Sequence, residues 1–137
     1  MRDTFGGDVA GVVVEPVLGE GGFYPAPPEF LQALRRVCDE HGIVMIADEI
    51  QTGFGRTGKM FCCEHEGVTP DIYIMGKTLG GGVMPVSAIA ATEEVMGVFR
   101  PGQHGSTFGG NPLAAAVGVV ALDVLEEEDL LNRSRDL

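Results

Sequence analysis

Three polar side chains in this 137-residue sequence stand directly behind short apolar runs, and together their types could do chemistry. Glu15 follows "AGVVV", Asp48 follows "IVMIA", and Lys77 closes "IYIMG". The only lysines are Lys59 and Lys77, so a lysine at the end of a buried run needs a reason. The tripeptide "GKT" at 76–78 invites a nucleotide-phosphate loop. Such a loop requires glycine five residues before the glycine of "GKT", so that successive backbone N–H groups wrap the phosphates. Asp71 occupies that position, and Gly80, Gly81 and Gly82 follow the lysine instead of preceding it, which excludes the reading.

A lysine at the mouth of a buried strand has two remaining roles. It is a solvated strand-end cation, or it is a desolvated amine whose lowered pKa lets it form a Schiff base. The glycines after it would let a flat ligand approach the backbone and the chain turn into the next strand. Asp48 is costly to bury alone, so it wants a partner. That partner could be Arg56, a helix N-terminus that Asp48 caps, or a protonated pyridine nitrogen, which an aspartate keeps charged as part of an electron sink. Gln51 is an ordinary loop amide or a donor to a ring oxygen. In "GQHGSTFGGNP" the hydroxyls of Ser106 and Thr107 precede a helix start at Asn111 and Pro112, an arrangement that suits a phosphate or a plain capping loop.

The elements that position these residues follow from pattern. Residues 9–14 read as a buried β-branched strand, closed by Pro16. A glycine- and proline-rich loop, "VLGEGGFYPAPP", leads to a helix starting at Pro28, with Phe30, Leu31, Leu34, Val37 and Cys38 on one face and Gly42 as its stop. "IVMIA" and "IYIM" are two further strands. Strand, helix and strand at this spacing predict parallel pairing with both sheet faces covered. "VSAIAA" adds a fourth strand, and Thr92 with Glu93 and Glu94 opens a short helix. Asn111 caps a long, largely apolar helix that runs on through an acidic tail into "NRSRDL". The fold class is α/β, mostly parallel, with flanking helices, and ligands of such sheets sit at the carboxyl ends of the strands.

Composition narrows the partners. A net charge of −11 disfavours nucleic acid and anionic membrane surfaces. No window of eighteen apolar residues spans a membrane, and "MRDTFGG" does not open a secretory leader. Three cysteines, an odd count without framework spacing, fit a reducing, cytoplasmic setting. Cys62, Cys63 and His65 in "FCCEHEG" lack a zinc spacing, so no metal site is expected. His104 is expected to make a structural hydrogen bond, and Glu126 to Asp129 to form a solvated helix face.

Read together, "ADEIQTGFGRTG", "GKTLGGGVMPVSA" and "HGSTFGGNPLAAA", in this order and spacing, resemble the class III (fold type I) aminotransferases that use pyridoxal 5'-phosphate. The similarity runs from "VVVEPVLGEGG" to "ALDVLEEEDLL", nearly the whole chain. "RPGQHGSTFGGNPLAAAVGVVALDVLEEE" and "MPVSAIAA" look most like the ornithine branch. The acetylornithine and 4-aminobutyrate branches share much of the pattern, whereas aminomutase- and decarboxylase-like relatives fit the wording of "HGSTFGGNP" and "PVSA" less well.

The resemblance implies a role for each matching position. Lys77 would carry the cofactor as a Schiff base and shuttle the substrate proton. Asp48 would lie under the pyridine nitrogen, Gln51 near the phenolic oxygen, and Ile50 against the ring face. Ser106 and Thr107 would reach the phosphate bound by a neighbouring copy, implying a homodimer. Glu20 would screen the substrate-carboxylate arginine. The reaction implied moves the terminal amine of ornithine to a 2-oxo acid such as 2-oxoglutarate, giving glutamate 5-semialdehyde and glutamate. Residues 1–137 would then be part of the large cofactor-binding domain, without the N-terminal segment and C-terminal small domain that complete the site, and inactive alone. A non-catalytic module of the same fold is the alternative, against which Asp48, Gln51, Lys77 and Thr107 together argue.

Overall fold

The computed structural model describes residues 8–137, so the expectation about the opening residues lies largely outside it. Strand β1 (Gly11–Val14) starts two residues later than the apolar run predicts. The stretch read as a loop contains a two-stranded antiparallel ribbon, β2 (Val17–Leu18) with β3 (Tyr24–Pro25). Its turn closes where the N–H groups of Gly22 and Phe23 both donate to the Gly19 carbonyl at 3.1 Å. Two-residue strands are too short to leave a periodic signal in the sequence.

Helix α1 (Phe30–His41) begins after Pro28 rather than at it, because residues 27–30 form a turn in which Phe30 N–H donates to the Pro27 carbonyl. Its Leu31, Leu34 and Cys38 are buried, at the i, i+3, i+7 spacing of one helical stripe. Gly42 ends it as expected, at φ +64° with its N–H on the Cys38 carbonyl. The chain then enters β4 (Val44–Asp48). A long crossing with a 3-10 helix at Cys62–Glu66 leads to β5 (Ile72–Met75), and a turn through Lys77–Gly80 leads to β6 (Ala88–Ala91). The order is β1-β4-β5-β6, with the first three parallel and β6 antiparallel to β5.

The core lies between α1 and one face of this sheet. Met45 and Ala47 of β4 join Leu31, Leu34, Cys38, Ile43, Cys63 and Val68 there, with Val12 and Val14 beside them in register. Each fully buried aliphatic side chain of this kind contributes about 1.5–3 kcal/mol. Side chains alternate across a strand, so Val44, Ile46 and Asp48 point to the opposite face, where they are only half-buried. The sequence predicted both faces covered. Among the described residues the α1 side is covered over β4, while Ala88 and Ala90 of β6 on that same face are exposed. Asp71 fixes α1 to the sheet: one carboxylate oxygen accepts from Arg35 Nη1 at 2.9 Å and from Met45 N–H at 2.7 Å.

Helix α2 (Glu93–Met96) is capped by Thr92, and α3 (Pro112–Glu127) by Asn111 with proline in its first turn, all as read from sequence. The tail departs from that reading. The chain breaks at Glu128 and Asp129, the latter at φ +50°, and restarts as α4 (Leu130–Asp136). Glu126 to Asp129 put acidic side chains at the negative end of the α3 dipole, which disfavours continuation. All are exposed, as expected. Helix α4 folds back over the turn at residues 55–58, with Leu131 and Arg135 close to the glycines there.

Candidate active site

The carboxyl ends of β1, β4 and β5 lie side by side, and the sequence-predicted polar residues emerge there. Glu15, Gly19, Glu20, Asp48, Ile50, Gln51 and Lys77 line one cleft of about 180 Å³. Glu15 and Glu20 come from the end of β1 and the β2–β3 turn, Asp48 from the last position of β4, and Ile50 and Gln51 from the turn after it. Lys77 follows β5 across Gly76.

Each side chain is held by local structure. One oxygen of Asp48 accepts from Ile50 N–H at 3.0 Å, an Asx turn that fixes the carboxylate relative to the chain it precedes. Lys77 Nζ donates to Gln51 Oε1. Glu15 accepts from Gly19 N–H at 3.0 Å and so shapes the turn that carries Glu20. A Cβ at Gly76 would stand 3.4 Å from Ile50, so the glycine lets Ile50 form an apolar floor close to the backbone before the lysine. Gly81 and Gly82 have φ of +57° and +73° and turn the chain toward β6. That turn is one of the two roles expected of them, and both glycines also line the groove beside Lys77.

Two expectations need correction. Arg56 Nε donates to Thr78 Oγ1 at 2.9 Å, and among the described residues Arg56 forms no ion pair with Asp48. Lys77 is exposed, which agrees with the solvated of its two sequence readings and departs from the desolvated one, and Asp48 is half-buried where a buried acid was expected. The cleft has a floor of strand ends, but among the described residues nothing roofs the amine. Lys77 also lines a second, larger apolar groove of about 870 Å³, whose far wall is Val117, Val120, Ala121, Val124 and Leu125 on α3 and α4's Leu130. The backbone of Lys77 itself sits at φ +44°, a left-handed value that is rare for a residue with a Cβ.

Ser106 and Thr107 do not join the cleft; both are exposed on the loop before α3, where Ser106 Oγ accepts from Gly109 N–H at 3.0 Å. His104 meets the ring of Phe99 edge-on at 6.5 Å, in place of the structural hydrogen bond predicted for it. His65 Nε2 donates to the Thr57 carbonyl at 2.9 Å.

The residue sequence reasoning missed is Glu49. It is fully buried, and its carboxylate accepts from the N–H groups of Cys62 at 3.0 Å and Cys63 at 2.8 Å and from the Thr52 hydroxyl. The signal was present in the doublet "DE" closing β4, since a period of two sends consecutive acids to opposite faces. Burial, and next the nearby Glu49 charge, push the Cys63 thiol well above its usual range, and burial pushes the Tyr73 phenol up to about 12.

Comparison with known proteins agrees with this arrangement. The profile of the class-III aminotransferase family matches residues 1–137. An ornithine aminotransferase of Oceanobacillus iheyensis is 61% identical over 127 residues, 93% of this chain and 32% of its own length. The structure of the Toxoplasma gondii ornithine aminotransferase, described as having partial occupancy of PLP at its active site, superposes with a TM-score of 0.90 at 48% identity. That match covers 93% of this chain and 30% of the other. An acetylornithine aminotransferase of Elizabethkingia anophelis matches at TM-score 0.85 and 54% identity, over 88% of this chain and 32% of that one. The chain spans about a third of the length of the curated relatives it matches. With its motifs, its strand order and its whole length matched, this chain belongs to the class-III aminotransferase family.

Proposed function

We propose that residues 1–137 form the central part of the large domain of a pyridoxal-phosphate-dependent transaminase that moves the terminal amine of ornithine to a 2-oxo acid. The observation that carries the reading is the meeting of Lys77, Gln51, Asp48 and Ile50 in one cleft at the strand ends. This donor set fits the cofactor: a primary amine for its aldehyde, a carboxylate for its ring nitrogen, an amide for its phenolic oxygen and an aliphatic surface for its ring. When bound, pyridoxal phosphate supplies an electron sink for the pair released as the proton beside the amino group departs. Lys77 would take that proton as general base and, as general acid, return it two atoms along, to the carbon on the far side of the nitrogen. Asp48, locked by Ile50 N–H, keeps a proton on the ring nitrogen. Glu20, on the turn shaped by Glu15, lines the same cleft and would screen the arginine that takes the substrate carboxylate.

The exposed Ser106 and Thr107, outside their own cleft, support a homodimer in which this loop reaches the neighbouring copy's phosphate. The free thiols of Cys38, Cys62 and Cys63 support a cytoplasmic location. No helix among the described residues is long and apolar enough to cross a membrane.

Ornithine is favoured by the names of the matched relatives and by Glu20. The 54% identity to an acetylornithine enzyme supports acetylornithine as the second reading. Glutamate formation from 2-oxoglutarate, followed with each donor on the full-length protein, separates them: ornithine should give the higher kcat/KM. Lys77→Ala should lose both turnover and the visible band of bound cofactor. A Lys77→Ala protein that still transaminates would overturn the proposal.

A further inference from the structure

We propose that Glu49 is a positioning residue for the cofactor site, holding Asp48 and Gln51 in register from the core side of the sheet; this rests on the transaminase reading above. Glu49 sits between the two residues in sequence and faces away from the cleft, with no exposed surface. One carboxylate oxygen accepts from Cys63 N–H at 2.8 Å, and the other from Cys62 N–H at 3.0 Å and from the buried Thr52 hydroxyl. Its main chain is tied as firmly: its N–H donates to the Ile74 carbonyl at 3.0 Å and its carbonyl accepts from Gly53 N–H at 2.8 Å. One residue therefore joins the end of β4, the turn carrying Gln51, the 3-10 helix at Cys62–Glu66 and strand β5, which leads to Lys77.

The consequence for the cleft is geometric. Asp48 is aimed by the N–H of Ile50, and the place of Ile50 is set by the anchored residue before it. Gln51 carries the hydrogen bond to Lys77 from the same turn. Loosening the Glu49 anchor lets the turn at 49–53 drift, and Asp48, Ile50 and Gln51 drift with it. A carboxylate suits the site because two backbone N–H groups, which can only donate, converge on it together with the Thr52 hydroxyl. Glutamine keeps the shape but turns an NH₂ toward one of the N–H groups, leaving that donor unpaired.

The test uses the full-length holoenzyme as wild type, Glu49→Gln, Thr52→Val, and Leu34→Ala as a core control that does not line the cleft. Three quantities are read: thermal midpoint, Kd for pyridoxal phosphate, and the pH midpoint of the bound cofactor's visible absorbance. Glu49→Gln should weaken cofactor binding about tenfold, as it would if the loosened turn held Asp48 and Gln51 in the binding arrangement about a tenth of the time, and move the absorbance midpoint. Thr52→Val, which removes one donor, should move both in the same direction by less. Leu34→Ala should lower the thermal midpoint at least as much while leaving Kd and the absorbance midpoint in place. Wild-type Kd and midpoint in Glu49→Gln and Thr52→Val would overturn this inference alone, as would equal shifts in Leu34→Ala. Failure of the wild type to bind the cofactor would overturn the transaminase reading and this one with it.

Discussion

Asp48 and Glu49 are adjacent acids with opposite surroundings, and the difference decides what each can do. Asp48 spends one oxygen on Ile50 N–H and leaves the other toward the cleft. Glu49 is saturated by protein donors and has nothing left for a ligand. Replacing Asp48 by asparagine keeps the Asx turn but removes the charge proposed to meet the ring nitrogen. It should lower kcat about 10- to 100-fold, the worth of one charge-assisted hydrogen bond, with little change in thermal midpoint. Steady-state kinetics beside a melting curve would check this; a large loss of stability would mean that Asp48 is chiefly structural. At this scale the sequence was informative where side chains end strands, because an acid or a lysine behind an apolar run is visible in one dimension. It was silent on exposure. The open environment of Lys77 depends on what covers the cleft, and no local pattern encodes that.

Among the elements, the turn between β4 and the 3-10 helix at Cys62–Glu66 is the most constrained. A Cβ at Gly53 would lie 2.8 Å from the Glu49 carbonyl oxygen, inside any tolerated contact. Gly53→Ala should therefore cost about 1–3 kcal/mol, as overpacking of a filled site does, and urea unfolding would measure it. Asn111 accepts from Ala114 N–H at 2.9 Å as the cap of α3, so Asn111→Ala should cost about 1 kcal/mol by the same measurement. The main strands, α1 and the N-caps of α2 and α3 were legible because period, Gly42, Thr92 and Asn111 each carry a local physical signal. The β2–β3 ribbon was not, since two residues make no period. The break at Asp129 was missed because Glu126 to Asp129 were weighed as a solvated face and not as charge placed against the helix dipole.

For the molecule as a whole, alkali probes the buried acids. The Tyr73 phenol is raised from an ordinary 10.0 to about 12, and the Cys63 thiol is raised from an ordinary 9.0, both chiefly by burial. Each is neutral when folded. Their contribution is full below the unfolded values and is lost as pH climbs past about 9 for the thiol and through 10 to 12 for the phenol. The urea midpoint should hold level from pH 7 to 8 and fall above 9, and Cys63→Ala should flatten the first part of that fall. The other whole-molecule feature is apolar surface. Leu113, Val119 and Val120 of α3 are each more than half exposed, and the 870 Å³ groove beside Lys77 opens along the same helix. A cleft open in this way does not exclude water from the amine. The 137-residue chain by itself should give no stable visible band with turnover when pyridoxal phosphate and ornithine are added. Turnover by the isolated chain would mean that the described residues already build the whole site.

The left-handed backbone of Lys77, φ +44°, has a bearing on how such a sequence changes over generations. A residue with a Cβ held there costs about 1–2 kcal/mol that glycine would not. Folding alone therefore does not favour lysine at this position, and the Schiff-base role proposed for its amine supplies a reason to keep it. In descendants released from that role, position 77 should drift to glycine early, and the drift should make them sturdier. Loss of the lysine would then mark a lineage that has given up the reaction and kept the fold.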